Sequence, residues 1–244
     1  MNKHVLITGC SRGIGLAAAE KLLSDGFRVK GTNRKTAFPE SLSVNKRFSG
    51  VSIDLGDLDQ VENVLKPILK TDLPDVLINN AGIFKDADIQ TSDSEWLSVW
   101  NQTMTVNLLS SSLLCKWFIE HHVENGSSGI IINVSSRAAY RGDTQEYAAY
   151  AASKAGMAAF TKSIARDFGK KGISAYTIAP GFIETDMARE SVEILGSEAL
   201  TRGSAFDEIT SPKEVANLIS WLSKGEVLHM TGSTFHINGG SYMV

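Results

Sequence analysis

The chain has 244 residues, of which 43% are apolar and 21% charged, and its net charge is −3. Those values suit a soluble globular protein with a real core, either one large α/β unit or two small ones. They carry no basic surplus of the kind that marks nucleic-acid or anionic-membrane binding. Cys10 and Cys115 lack a CxxC pair and a histidine at ligand spacing, which argues against a disulfide framework and against zinc. The opening MNKHVLITG has no signal-peptide stretch, and no 18-residue apolar run follows, so the expected address is cytoplasmic.

HVLITG (4–9) reads as a buried strand, and GIGLAAAEKLLSDG as a helix closing at Gly26. FRVKGTN (27–33) and FSGVSIDL (48–55) are the second and third strands, and an amphipathic helix follows from about Asp57 to Lys70. DVLINNAG (75–82) is the fourth strand, and 95–124 holds a long helical region. GIIINVSS (129–136) is the fifth strand, and the alanine-rich YAAYAASKAGMAAF (147–160) is the helix after it. GISAYTIAPG (172–181) is the sixth strand. SPKEVANLISWLSK (211–224) is a helix with Ser211 as N-cap and Pro212 at its first position, and TFHINGG (234–240) is the seventh strand. The alternation implies parallel strands joined by right-handed crossovers, with ligands at the carboxyl ends of the strands. Runs such as VLIT and IIINV suit strands covered on both faces. The mixed composition of 183–210 suits a lid over the site.

TGCSRGIG (8–15) follows the first strand and opens a helix. Gly9 can make the tight turn, Gly13 can let backbone approach a phosphate, and Gly15 can let the helix pack close to the sheet. The helix N-terminus then offers free N–H groups to a pyrophosphate. The spacing is GxxxGxG rather than GxGxxG, and a plain glycine turn would look the same. At the end of the second strand, NAD sites usually carry an acid for the ribose 2′-hydroxyl. Here Asn33 stands there and Arg34 follows, with Arg12 in the glycine turn. Two guanidiniums and no carboxylate suit a 2′-phosphate, and so NADP(H); otherwise both are solvated surface charges. Asp54 can accept from an adenine amino group or cap the next helix. NNAG (79–82) has small residues where adenine and ribose would lie, or is only a turn.

Tyr150 and Lys154, at i and i+4, share one helix face, whereas Tyr147 has Ala151 at i+4. A nearby ammonium favours phenolate and is expected to lower the Tyr150 pKa from about 10. The surrounding alanines would let the helix press on the fifth strand, so that these two side chains project into the site. Ser136 closes the fifth strand with a hydroxyl that can reach a carbonyl, and Ser135 lies further from the tyrosine. Asn107 is a poor helix former set in an apolar helix, which suggests a local water or backbone role. APGFIET (179–185) can close over a nicotinamide amide.

TGCSRGIG, NNAG, Asn107, Ser136, YAASK and PGFIET, in this order, resemble the short-chain dehydrogenase/reductase family from end to end. APGFIETDM and TFHINGGSYMV most resemble the bacterial 3-oxoacyl-(acyl-carrier-protein) reductases. The resemblance implies one Rossmann-type, doubly wound α/β domain over 1–244, with a seven-stranded, mostly parallel sheet, helices on both faces and a substrate lid at about 183–210. It makes Tyr150 the general acid, Lys154 its tuner and a ribose ligand, Ser136 the carbonyl-orienting hydroxyl, and Asn107 the holder of a water linking Lys154 to solvent. It gives NADP(H) contacts to Gly9, Ser11, Arg12, Gly13, Ile14, Gly15, Asn33, Arg34, Asp54 and Leu55. It gives further contacts to Asn80, Ala81, Gly82, Tyr150, Lys154, Pro180, Gly181, Ile183 and Thr185. It implies a homo-tetramer or homo-dimer built on the 95–124 and Tyr150 helices, needs no metal, and names a 3-oxoacyl thioester as substrate, with a free small ketone, quinone or sugar-like alcohol as the alternative and a non-catalytic cofactor-binding regulator as a remote one. Two departures stand out. The Ser136–Tyr150 interval is one residue longer than the family's usual one, in RAAYRGDTQE. Of two basic positions that would dock an acidic acyl carrier protein, Lys170 and Lys171 keep one, while Ser127 stands near the other.

Overall fold

A computed structural model describes residues 3–34, 37–184, 201 and 203–243. Seven strands form one parallel sheet in the order β3-β2-β1-β4-β5-β6-β7. They are β1 (His4–Ile7), β2 (Arg28–Asn33), β3 (Phe48–Ser52), β4 (Val76–Asn79), β5 (Gly129–Val134), β6 (Ile173–Pro180) and β7 (Thr234–Ile237). The registers Val5↔Val29 and Val5↔Val76 flank β1 on both sides. Every residue of β1, β4, β5 and β6 is buried, as the continuous apolar runs require of strands covered on both faces.

The α-helices among the described residues are α1 (Gly13–Ser24), α2 (Glu40–Ser43), α3 (Leu58–Thr71), α4 (Asp93–Met104), α5 (Ser110–Glu124), α6 (Ala138–Arg141), α7 (Ala148–Phe168) and α8 (Pro212–Ser223). On one face of the sheet, Ala18, Leu22 and Leu23 of α1 share a core with Val215, Ile219 and Leu222 of α8. On the other, Val61, Leu65 and Leu69 of α3 meet Leu114, Trp117 and Phe118 of α5 and Ile164 of α7. The α3 positions repeat every four residues, which gives the helix its buried stripe. Ser211 caps α8 in a reciprocal capping box with Glu214, with Pro212 at the first position, as expected. Asp57 caps α3 by accepting from Gln60 N, so Asp54 is not that helix's cap.

The expected strands are shorter than drawn from the sequence. β5 ends at Val134 and β4 at Asn79, because the following residues leave the sheet to build the site. The long helical region at 95–124 is two α-helices joined by a π-helical segment, Thr105–Leu109, that contains Asn107. Most of the expected lid at 183–210 lies outside the described residues. Within its described part, Ile183 bridges to Thr210, and Glu184 N donates to Thr210 O at 3.0 Å.

Candidate active site

The parallel order places the ends of β1, β4, β5 and β6 side by side. Between β1 and α1, Gly9 takes φ +70° and Gly13 takes φ +55°. A side chain on Gly9 would press on Ala81 at 2.9 Å, and one on Gly15 would collide with the Gly9 carbonyl. The turn is therefore shaped for backbone alone, next to the N-terminus of α1. Thr8, which sequence reasoning missed, locks it in place. Its Oγ1 accepts from Asn80 N at 3.0 Å and Ala81 N at 3.1 Å, and Asn80 Nδ2 donates back to Thr8 O and Gly9 O. NNAG is thus stitched to the glycine turn. Leu55 is buried, while Asp54 is exposed and accepts from Gly56 N at 2.8 Å.

At the end of β2, Asn33 donates to Ala37 O at 2.8 Å, while its buried Oδ1 has no partner among the described residues. Arg34 beside it is exposed. An unpaired buried acceptor is costly, and here it sits where a nucleotide ribose would supply a donor. The glycine cradle, this orphan acceptor and the Arg34 charge fit a dinucleotide.

Lys154 is 3% exposed, and its Nζ donates to Val134 O at 2.9 Å. No carboxylate among the described residues pairs with it, and burial pulls its pKa down from 10.5 to about 8. Its Nζ lies 5.8 Å from the Tyr150 ring centre. The expected depression of the Tyr150 pKa is not what the geometry gives. Removal from bulk water raises it above the usual phenol value, a hydrogen bond with Ser136 opposes that in part, and Asp143 adds to the rise. The ammonium's hydrogen bond goes to Val134 O at the end of β5. Ser135 donates to Lys154 O at 2.8 Å and so pins α7, which leaves Ser136 as the serine beside Tyr150.

Asn107 is fully buried. Its Oδ1 accepts from Ile83 N at 2.8 Å, and its Nδ2 donates to Ile83 O and to Ser153 Oγ, both at 3.0 Å. Of the water and backbone roles expected for this side chain, the backbone role is the one these bonds fill. A side chain on Gly82 would lie 3.2 Å from Lys154 Nζ and 3.3 Å from Asn107 Oδ1. Asn107, Ser136, Tyr150 and Lys154 are thus gathered in one place. Phe84 stacks on Tyr147 at 3.9 Å and meets Tyr150 edge-on at 4.9 Å, so Tyr147 is a wall of the site. A second feature the sequence reading missed is a buried polar chain. Asn79 Nδ2 donates to Asn133 Oδ1, and Asn133 Nδ2 donates to Thr161 Oγ1, each at 2.8 Å, tying β4 to β5 and β5 to α7. After β6, Gly181 N donates to Ile237 O at 3.0 Å, Pro180 O accepts from Arg137 N at 2.9 Å, and Ile183 is buried. Thr185 lies outside the described residues.

This arrangement agrees with what the chain matches. The short chain dehydrogenase family model matches residues 3–195. The chain belongs to that family. It is 35% identical over 246 residues to the 3-oxoacyl-(acyl-carrier-protein) reductase of Vibrio harveyi, covering 99% of this chain and 98% of that protein. A structure of 4-hydroxyisoleucine dehydrogenase complexed with NADH superposes with a TM-score of 0.88 at 28% identity, covering 98% of each chain. A structure from Agrobacterium tumefaciens assigned as a 2-deoxy-D-gluconate 3-dehydrogenase, with bound NADP, also gives 0.88, at 27% identity over 98% of this chain and 96% of that one. The short-chain dehydrogenase assignment makes the chain an oxidoreductase acting on CH–OH or C=O groups.

The candidate docking residues sit elsewhere. Ser127 is tied to His122 Nδ1 at 2.8 Å, and Lys170 and Lys171 are exposed on the turn before β6. Both precede strands whose far ends carry Ser136 and Pro180. Within one chain, roughly 20 Å of strand separates them from the site.

Proposed function

We propose that this chain is an NADPH-dependent carbonyl reductase. The observation that carries the reading is the convergence of Ser136, Tyr150, Lys154 and Asn107 at the open ends of β4 and β5, next to a glycine cradle. The NADP preference is supported by Arg34, by the absence of a carboxylate at the end of β2, and by the NADP held in a neighbouring structure. The cradle from Gly9 to Gly15 would hold the pyrophosphate, Asn33 and Arg34 the adenosine ribose and its phosphate, and Lys154 the nicotinamide ribose. When bound, the reduced nicotinamide supplies the hydride that the carbonyl carbon accepts.

Ser136 and Tyr150 would both donate to the substrate carbonyl oxygen, which orients and polarises it. A phenol whose pKa is raised stays protonated at neutral pH and is ready to act as the acid. As its proton moves to the forming alkoxide, negative charge appears on the Tyr150 oxygen, and the Lys154 ammonium, 5.8 Å from the Tyr150 ring centre, would offset it. Asn107 holds the 83 loop against α7, which fixes the backbone beside Lys154. A non-catalytic regulator would need no such convergence.

The curated relatives support a 3-oxoacyl thioester as substrate. A second reading, a small free ketone, draws support from Ser127 and from the remote placement of Lys170 and Lys171. It is also supported by neighbours named for small hydroxy acids. A cytoplasmic, dimeric or tetrameric enzyme is the assembly the family likeness suggests. No helix among the described residues is long and apolar enough to cross a membrane. The catalytic assignment is tested by Tyr150→Phe, which should lower turnover by about 10² to 10⁴ with NADPH affinity nearly unchanged. Tyr147→Phe should be mild. If Tyr147→Phe were the worse of the two, the assignment would be wrong.

A further inference from the structure

The residue that follows Ser136 is an arginine shut into the protein. Arg137 is 7% exposed. Its main-chain N–H donates to Pro180 O at 2.9 Å, which fixes its backbone between the ends of β5 and β6. Its Nη1 donates to Ser241 Oγ at 2.5 Å, and its guanidinium carbon lies 4.5 Å from the Phe182 ring centre. No carboxylate among the described residues comes within ion-pair distance of it. Burial and the Arg141 charge both disfavour its charge, and Asp143 favours it.

A guanidinium carries five N–H donors and cannot be neutralised. Buried charges are otherwise paired, because removing them from water is expensive. Here one neutral hydroxyl and one aromatic face do what an anion would do better. None of the Arg137 nitrogens is sealed away without a partner, so the unused ones open on a cavity lined by Phe182, Ser204, Glu208, Asn238 and Ser241. Glu208 lines that cavity without reaching the guanidinium. Asn238 is already committed, with Nδ2 on Tyr242 O and Oδ1 accepting from Gly240 N. Beside the Glu208 carboxylate and the Thr201 and Thr210 hydroxyls of the same cavity, the guanidinium supplies a planar cation, the geometry that takes a carboxylate in two parallel bonds.

We propose that Arg137 is an anion subsite for the substrate, and that the substrate is a small oxo acid, or its hydroxy acid, whose carboxylate docks on the guanidinium while its carbonyl faces Ser136 and Tyr150. This rests on the catalytic reading above and refines it. A carrier-bound 3-oxoacyl thioester has no anion near its carbonyl, since the whole pantetheine arm separates the two. The competing structural role is a clamp, in which Arg137 only fastens Ser241 of the C-terminal segment to the Phe182 loop.

The test compares 2-, 3- and 4-oxo acids of four to six carbons with their primary amides, which keep the shape and remove the charge. The amide of acetoacetate and its N-acetylcysteamine thioester are included. At least one acid should be preferred over its amide by about 10- to 150-fold in kcat/KM, the range of one charge-assisted contact. In Arg137→Met that ratio should collapse toward one, and Arg137→Lys should keep part of it. Binding is read independently of turnover. Succinate should raise the melting temperature of the wild-type NADPH complex beyond a sodium chloride control of equal ionic strength, and should not do so in Arg137→Met. A clamp would lower rates on acid and amide alike and leave the ratio where it was. Preference for the amide or the thioester, or succinate stabilisation that survives Arg137→Met, would overturn the subsite while leaving the reductase intact. No turnover of any carbonyl, with the succinate effect present and lost in the variant, would instead overturn the catalytic reading and keep the subsite. Should Arg137→Met fail to fold, Arg137→Lys carries the same comparison, and an unchanged ratio there with no loss of succinate stabilisation refutes the subsite.

Discussion

Lys154→Met should make the cofactor-free protein more stable while abolishing its activity. The ammonium is buried, donates one hydrogen bond to Val134 O, and meets no carboxylate among the described residues. The fall of its pKa from 10.5 to about 8 corresponds to about 3 kcal/mol of cost in holding the charged form, at 1.36 kcal/mol per pKa unit. Methionine removes that cost and keeps most of the volume. It leaves Val134 O without its donor, which returns about 1–3 kcal/mol. The balance is a gain of about 1 kcal/mol at pH 7, or roughly 2–4 °C in melting temperature for a chain of this size. The sign of the pH dependence is fixed. Between about pH 8 and pH 10.5 the unfolded lysine binds more protons than the folded one, so wild-type stability rises with pH across that window. The advantage of the variant is therefore full below pH 8 and shrinks toward pH 10.5. Urea titrations at pH 7 and pH 9.5, at one fixed protein concentration, read both effects. A variant less stable at pH 7, or an advantage that did not change with pH, would show that the buried ammonium carries no such cost.

Two further substitutions follow from the cradle. Arg34→Ala should weaken NADPH binding by about 10- to 150-fold, from the loss of one charge-assisted contact, and leave NADH binding nearly unchanged in equilibrium titrations; equal loss for both would remove Arg34 from the 2′-phosphate. Thr8→Val keeps the shape but deprives Asn80 N and Ala81 N of their shared acceptor. It should cost about 1–3 kcal/mol in urea unfolding, with Thr8→Ser restoring most of it.

The middle of the sheet was legible because β1, β4, β5 and β6 are covered on both faces. A run such as IIINV cannot be anything exposed, and turn residues mark where it stops. The preference for Ser136 over Ser135 came from the interval to Tyr150 that the family resemblance implies, and in the structure Ser135 donates to Lys154 O instead. Other features left no local trace. The π segment at Thr105–Leu109 changes the helix by one residue, which apolar periodicity does not register. The rule that i and i+4 share a face placed Lys154 beside Tyr150, but a lysine has four methylenes, and its end went to Val134 O. Phe84 and Arg137 were invisible for a different reason. Their partners, Tyr147 for one and Phe182 and Ser241 for the other, are far off in sequence and come together only through the fold. An asparagine inside an apolar strand was the one available signal for the Asn79–Asn133–Thr161 chain.

Reduction of a carbonyl with NADPH at this site can be read directly. The direct measurement is parallel quantification of NADPH consumed and alcohol formed, with oxo acids, neutral ketones and a 3-oxoacyl thioester as substrates, in wild type and in Tyr150→Phe. One alcohol should form per NADPH consumed with at least one of these substrates, NADH should be used more slowly, and both signals should be lost together in the variant. NADPH that binds but is never oxidised by any carbonyl, or alcohol formation undiminished in Tyr150→Phe, would contradict the reductase assignment.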